Sequence, residues 1–80
     1  MKAKVYVTLK PAVLDPQGKA IQRSLARLDY KEVKGVRVGK FIELDLEGSD
    51  RDEAGRRIQE MCEKLLSNPV IENARYEFAD

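Results

Sequence analysis

The side chains that could do chemistry are few, and their spacing argues against most of it. The 80-residue sequence has no histidine, which removes the commonest general base and a principal zinc ligand. Its one cysteine, Cys62, allows neither a thiolate cluster nor an intrachain disulfide, and this suits a reducing compartment. Cys62 also falls on the apolar stripe of a helical pattern, where a buried, inert thiol is the ordinary reading. Gly35-Val36-Arg37-Val38-Gly39-Lys40-Phe41 superficially looks like a phosphate loop. Its glycines are one residue too close, and Phe41 stands where a Ser or Thr would hold magnesium. The segment also lies inside a strand pattern rather than between a strand and a helix. Asp45, Glu47, Asp50, Asp52 and Glu53 do not follow the order of an EF-hand loop; they read as a solvated strand edge and a helix cap. No catalytic, cofactor-binding or metal-ligating set is expected on this chain.

Three long polar residues stand out instead. Lys10 precedes a proline at a strand end, Arg37 sits between Val36 and Val38, and Lys40 interrupts an apolar face. Each either buries its stem while its charge stays in water or pairs with a charge across a subunit interface. Interspersed charge alone does not separate the two.

The elements that position these residues follow from periodicity. Val5, Val7 and Leu9 alternate with Lys4, Tyr6 and Thr8, the period of a half-buried strand. Pro11 ends it, having no N–H for a ladder. Asp15 is placed as an N-cap and Pro16 as the first helical residue. A helix is predicted from about Pro16 to Asp29, with Ala20, Ile21, Leu25 and Leu28 on its apolar face. Gly18 weakens its first turn, so either the preceding strand or a partner subunit comes close there.

Residues 35–46 admit two readings. A two-residue turn at Gly39-Lys40 would make a hairpin, but it would set Glu43 and Asp45 on the core side, at a high desolvation cost. One long strand, bent near Gly39, sets Val36, Val38, Ile42, Leu44 and Leu46 on one face with Lys40 the sole interruption. This reading is preferred. A strand that long overhangs a small sheet and invites pairing with another subunit.

A second helix starts at Ser49 or Asp50 with capping-box spacing. Ala54, Ile58, Met61, Cys62, Leu65 and Leu66 form its stripe, and Asn68-Pro69 ends it. A last strand is predicted from about Val70 to Phe78. The order strand, helix, long strand, helix, strand predicts an α+β two-layer sandwich, with both helices on one face of a mainly antiparallel sheet. The hairpin alternative would give a ferredoxin-like βαββαβ order.

Residues 1–80 are expected to form one domain with a thin core, burying about 60–65% of the unfolded chain's surface. Lys plus Arg number 15 and Asp plus Glu 14, interspersed, for a net charge of +1. That disfavours nucleic acid as a partner. No apolar stretch is long enough for a signal peptide or membrane span, so a cytoplasmic location is expected. Exposed strand edges and the thin core predict a homodimer or higher homo-oligomer. Fold analogy alone offers a second role, a module that binds a small regulatory molecule between subunits.

Leu14-Asp15-Pro16-Gln17-Gly18 after an opening strand ending in Leu9-Lys10 resembles the PurS family. Val36-Arg37-Val38-Gly39-Lys40 followed by Ile42-Glu43-Leu44 is similar to that family's central strand. Cys62-Glu63-Lys64-Leu65-Leu66-Ser67-Asn68-Pro69-Val70-Ile71-Glu72 is similar to the end of its second helix and the start of its last strand. Asp29-Tyr30-Lys31-Glu32 departs mildly, since a Gly is more usual near the helix end. The resemblance implies the small, non-catalytic subunit of phosphoribosylformylglycinamidine synthase, in de novo purine synthesis. It implies a dimeric bridge between a glutaminase subunit, which releases ammonia, and a large synthetase subunit, which activates the amide with ATP. ATP, magnesium and glutamine would serve the complex and not this chain. The positions carried over as candidate subunit contacts are Lys10, Asp15, Gln17, Gly18, Arg37, Gly39 and Lys40.

Overall fold

Strict alternation makes the first strand the centre of the sheet. The computed structural model describes residues 1–79. In it β1 (Lys2–Leu9) buries Ala3, Val5 and Val7 on one face. It is flanked by β2 (Gly39–Asp45) and β3 (Glu72–Phe78), both antiparallel to it, in the order β2-β1-β3. Val5 lies opposite Ile42 on one side and Tyr76 on the other. The register therefore puts Val5, Val7, Ile42, Leu44, Ala74, Tyr76 and Phe78 on one face, the period-two logic of a sheet with one side buried.

Helix α2 (Arg51–Met61) covers that face and supplies Ile58 and, just beyond it, Cys62 to the core. Asp50 caps it, accepting from the backbone N–H groups of Asp52 at 3.1 Å and Glu53 at 3.2 Å. Asp52 and Glu53 in its first turn suit the positive end of the helix dipole. Gly55 lets the helix approach β3: a Cβ there would stand 2.6 Å from the Tyr76 hydroxyl. The core is small. Val5, Val7 and Ile58 are the largest fully buried side chains, each contributing about 1.5–3 kcal/mol by leaving water.

The α+β class predicted from sequence is what the chain adopts, with three antiparallel strands and two helices. Gly39 and Lys40 open β2 and pair with Thr8 and Val7, so there is no hairpin at that point, but the strand begins at Gly39 rather than running through it as predicted. The ladder is shorter than the apolar pattern. The β1–β2 pairing ends at Thr8 with Gly39, and Val36–Val38 lead into it with no ladder pairing of their own. The last strand is also shorter than predicted. Val70 and Ile71 belong to a turn instead, held by Glu72 N–H donating to Asn68 O at 2.7 Å and Val70 N–H donating to Asn68 Oδ1 at 3.1 Å. Val70 is accordingly 80% exposed.

The second helix does not stay α-helical to its end. Cys62–Leu66 form a π turn, closed by Ser67 N–H donating to Cys62 O at 3.0 Å. The wider turn shifts the apolar stripe out of register. Cys62 stays buried and Leu66 packs against the core, but Leu65 is 82% exposed.

Helix α1 (Pro16–Arg27) lies apart from this unit. It lines up along residues 33–38 rather than over the strands, with Gln22 Nε2 donating to Lys34 O at 3.3 Å. Asp29 ends it in the left-handed region at φ 75°. A glycine is the easier occupant of such a position, although aspartate tolerates it better than most residues. The molecule is drawn out by this arm. Its extents are 49 × 27 × 14 Å and its radius of gyration 16.0 Å, against about 12 Å for a compact chain of this length. Within one chain, α2 covers the sheet and the apolar side of α1 has no strand opposite it. Leu28 is 67% exposed, Ile21 39%, and Leu14, just before the helix, 70%.

Candidate functional site

The chain must leave the end of β1, form α1 and return to start β2. The seven residues singled out from sequence all fall at this corner. Pro11 stops the ladder at Leu9–Lys10, and Lys10 makes the last link to the far side, its N–H donating to Ile71 O at 2.9 Å. Lys10 O then accepts from Arg37 Nη2 at 2.9 Å and from Val13 N–H at 2.9 Å. Arg37 thus reaches back across the corner and binds backbone with at least one of its five donors.

Asp15 is the centre of the corner. It is the buried charged residue among those described, 4% exposed. A buried carboxylate is costly unless its oxygens are satisfied, and here each oxygen has a partner. Oδ1 accepts from Gly18 N–H at 2.9 Å, the N-cap bond of α1. Oδ2 accepts from Val38 N–H at 2.8 Å, from a residue 23 positions along the chain. Two backbone donors, Val38 first and Gly18 second, hold the Asp15 carboxyl below its ordinary range; the Arg37 charge helps and burial opposes. The sequence identifies the cap. It does not reveal the second bond, which Val38 makes just outside the β1–β2 ladder, whose last pair is Thr8 with Gly39.

Two glycines make the corner sterically feasible. A Cβ on Gly18 would stand 2.3 Å from Val36 O and 2.8 Å from Asp15 Oδ2. A Cβ on Gly39 would stand 2.4 Å from Val7 O. Of the two sequence readings of Gly18, the close neighbour is the chain's own backbone, on the approach to β2 rather than on the strand before α1. Gln17 and Lys40 complete the group as exposed residues beside it, on α1 and β2 respectively. Lys40 lies opposite Val7 and so projects on the α2 side of the sheet, as the single-strand pattern requires.

The rest of the surface offers other features. Between β2 and the end of α2 lies an open groove of about 410 Å³ lined by Leu44, Met61, Leu65 and Leu66, with Arg57 and Lys64 at its rim. On the opposite face of the sheet Tyr6 stacks near Phe41, with centroids 5.3 Å apart, and lies under Arg75, whose Cζ is 4.1 Å from the ring centroid. Tyr6 Oη donates to Glu77 Oε1 at 2.7 Å, which raises its pKa. Among the described residues no three His, Cys, Asp or Glu side chains group as metal ligands. No helix among them is long and apolar enough to cross a membrane.

Asp15 and Arg37 therefore tie backbone segments together, and several of the exposed apolar residues lie along α1 and in the groove. That combination defines a small α+β protein with exposed apolar surface along one helix and in one groove. Comparison with known proteins specifies the family. The chain matches the PurS family model, described as phosphoribosylformylglycinamidine (FGAM) synthase, over residues 2–80, and it belongs to that family. It is 58% identical over 76 residues to the phosphoribosylformylglycinamidine synthase subunit PurS of Bacillus subtilis, covering 95% of this chain and 89% of that one. A solved structure of B. subtilis PurS superposes with a TM-score of 0.89 at 56% identity, covering 99% of this chain and 98% of that one. A chain in the structure of PurLQS from Thermotoga maritima superposes with a TM-score of 0.88 at 33% identity, covering 98% and 95%. The family is that of a subunit of a carbon–nitrogen ligase.

Proposed function

We propose that this chain, acting as one unit over residues 1–80, is the non-catalytic small subunit of phosphoribosylformylglycinamidine synthase in purine biosynthesis. It bridges the glutaminase and synthetase subunits in the cytoplasm and helps ammonia pass between them. ATP, magnesium and glutamine serve the other subunits. The observation that carries the reading is family membership across the whole described chain, together with a match to a chain of a PurLQS assembly.

The chain's own residues support an assembly role. Ile21 on α1, with Leu14 just before the helix and Leu28 at its C-terminal cap, presents exposed apolar surface along this arm. Leu44, Met61, Leu65 and Leu66 present a groove beside α2 that no helix of the same chain fills. A second copy placing its α1 ridge over that groove would complete the two-layer sandwich, so the chain is read as a homodimer or larger homo-oligomer. Lys10, Asp15, Gln17, Gly18, Arg37, Gly39 and Lys40 lie where the arm meets the sheet, and they are read as the corner that subunit contacts depend on. The test is reconstitution. Adding this chain to purified glutaminase and synthetase subunits is expected to restore glutamine-dependent turnover, while turnover with free ammonia needs it much less. Equal glutamine-dependent turnover without it contradicts the bridging role.

A further inference from the structure

We propose that Asp15 and Gly18 are positioning residues that fix the direction in which α1 leaves the sheet, and that the assembled enzyme depends on this preset direction. The inference rests on the reading of the α1 ridge as an assembly surface. It goes further by giving the corner a role other than direct contact. The arm is rooted at two points, residues 10–15 going out and residues 36–38 coming back. Three links join the roots. Asp15 Oδ2 accepts from Val38 N–H at 2.8 Å, Arg37 Nη2 donates to Lys10 O at 2.9 Å, and Gly18 packs against Val36 O at a distance that leaves no room for a Cβ. No α1 residue packs against the core, so the orientation of its ridge relative to the sheet rests on these links, with the exposed Gln22 Nε2 to Lys34 O bond further along the helix. A ridge held at one angle binds its partner without the cost of ordering a swinging arm. Asp15 and Gly18 are themselves buried, so they act through α1.

The cap and the strap can be separated. In Asp15→Ser a single hydroxyl oxygen still caps Gly18 N–H but cannot also reach Val38 N–H. In Asp15→Asn the side chain keeps its shape, but only one oxygen remains for two donors. Helix content by circular dichroism and slow amide exchange at Val5 and Val7 are expected to persist in both variants. Exchange at Val38 is expected to accelerate, and residual dipolar couplings in α1 to shrink relative to those in the sheet. Self-association, and binding to the synthetase subunit, is expected to weaken about tenfold to a hundredfold, the scale of one lost bond to a charged acceptor. Unchanged couplings in α1, or unchanged association once the couplings have shrunk, overturns the proposal. Leu28→Lys tests the underlying reading separately. If it leaves association intact, the ridge is not the assembly surface, and the couplings alone still decide whether Asp15 orients the arm.

Discussion

Replacing Gly18 with alanine sets two effects of opposite sign against each other. Position 18 lies in the first turn of α1, where alanine is intrinsically better than glycine by about 1 kcal/mol. Helix propensity alone therefore predicts a more stable protein. The structure predicts the reverse. The added Cβ would sit 2.3 Å from Val36 O, roughly 1 Å inside ordinary contact, and the obstacle is backbone rather than a side chain that can swing away. Val36 cannot retreat freely, because two residues later Val38 N–H is bound to Asp15. Overpacking of this kind costs about 1–3 kcal/mol, and a rigid obstacle puts it near the upper end. Net destabilisation is then about 2 kcal/mol after the propensity gain, roughly a 10 °C drop in Tm for a domain this small. Gly35→Ala is the control, because nothing lies within 4 Å of a Cβ there; it should be neutral or slightly stabilising. Urea unfolding at several protein concentrations separates folding from association. Gly18→Ala as stable as the parent would refute the reasoning, since it would mean that Val36 moves aside freely.

Other consequences can be measured on the same preparations. Asp29→Gly should stabilise the protein by about 0.5–1 kcal/mol by relieving the left-handed residue at the end of α1, and no change in urea midpoint would count against that strain. Burial, and secondarily the charge of Glu63, raises the Cys62 thiol pKa. Native protein should therefore react with a thiol reagent at pH 8 far more slowly than denatured protein, and fast native labelling would contradict the burial. The folded-state pKa of Asp15 lies below its ordinary 3.8. Its stabilisation is therefore fully present above about pH 4 and lost as pH falls through the folded value. Asp15→Asn should remove that part of the acid-limb dependence, and parallel acid limbs for parent and variant would show that Asp15 is not held this way.

Much of this fold is written locally. Alternation in β1 and the placement of Asp15 and Asp50 as caps are legible because each depends on residues a few positions apart. The absence of a hairpin at Gly39 and Lys40 is legible for a similar reason, since a hairpin would have put Glu43 and Asp45 on the apolar side. Lengths are less legible. Val36–Val38 have the pattern of a strand, but a ladder needs a partner, and the pairing with β1 stops at Gly39, where Val38 gives its N–H to Asp15 instead. Val70 and Ile71 are apolar enough for a strand, but Asn68 hydrogen-bonds them into a turn. The π turn at Cys62–Leu66 leaves no periodic signature strong enough to show that Leu65 slips off the core.

The corner was legible as a set of residues but not as a device. Motif likeness selects Lys10, Asp15, Gln17, Gly18, Arg37, Gly39 and Lys40, and the structure brings them to one place. What each does depends on contacts about 20 residues apart in sequence, such as Asp15 with Val38 and Gly18 with Val36. The apolar face of α1 shows the same limit in another form. Ile21, Leu25 and Leu28 announce that a helix face will be buried, but periodicity does not say which chain buries it.

The central claim is that another polypeptide covers the apolar face of α1. Multi-angle light scattering of the purified chain at micromolar concentration, with Leu28→Lys alongside, tests this most directly. The parent is expected at a multiple of the single-chain mass, and Leu28→Lys at or near one chain with its α2-and-sheet unit still folded. A parent that runs as a single chain, and stays single when the glutaminase and synthetase subunits are added, would contradict the account.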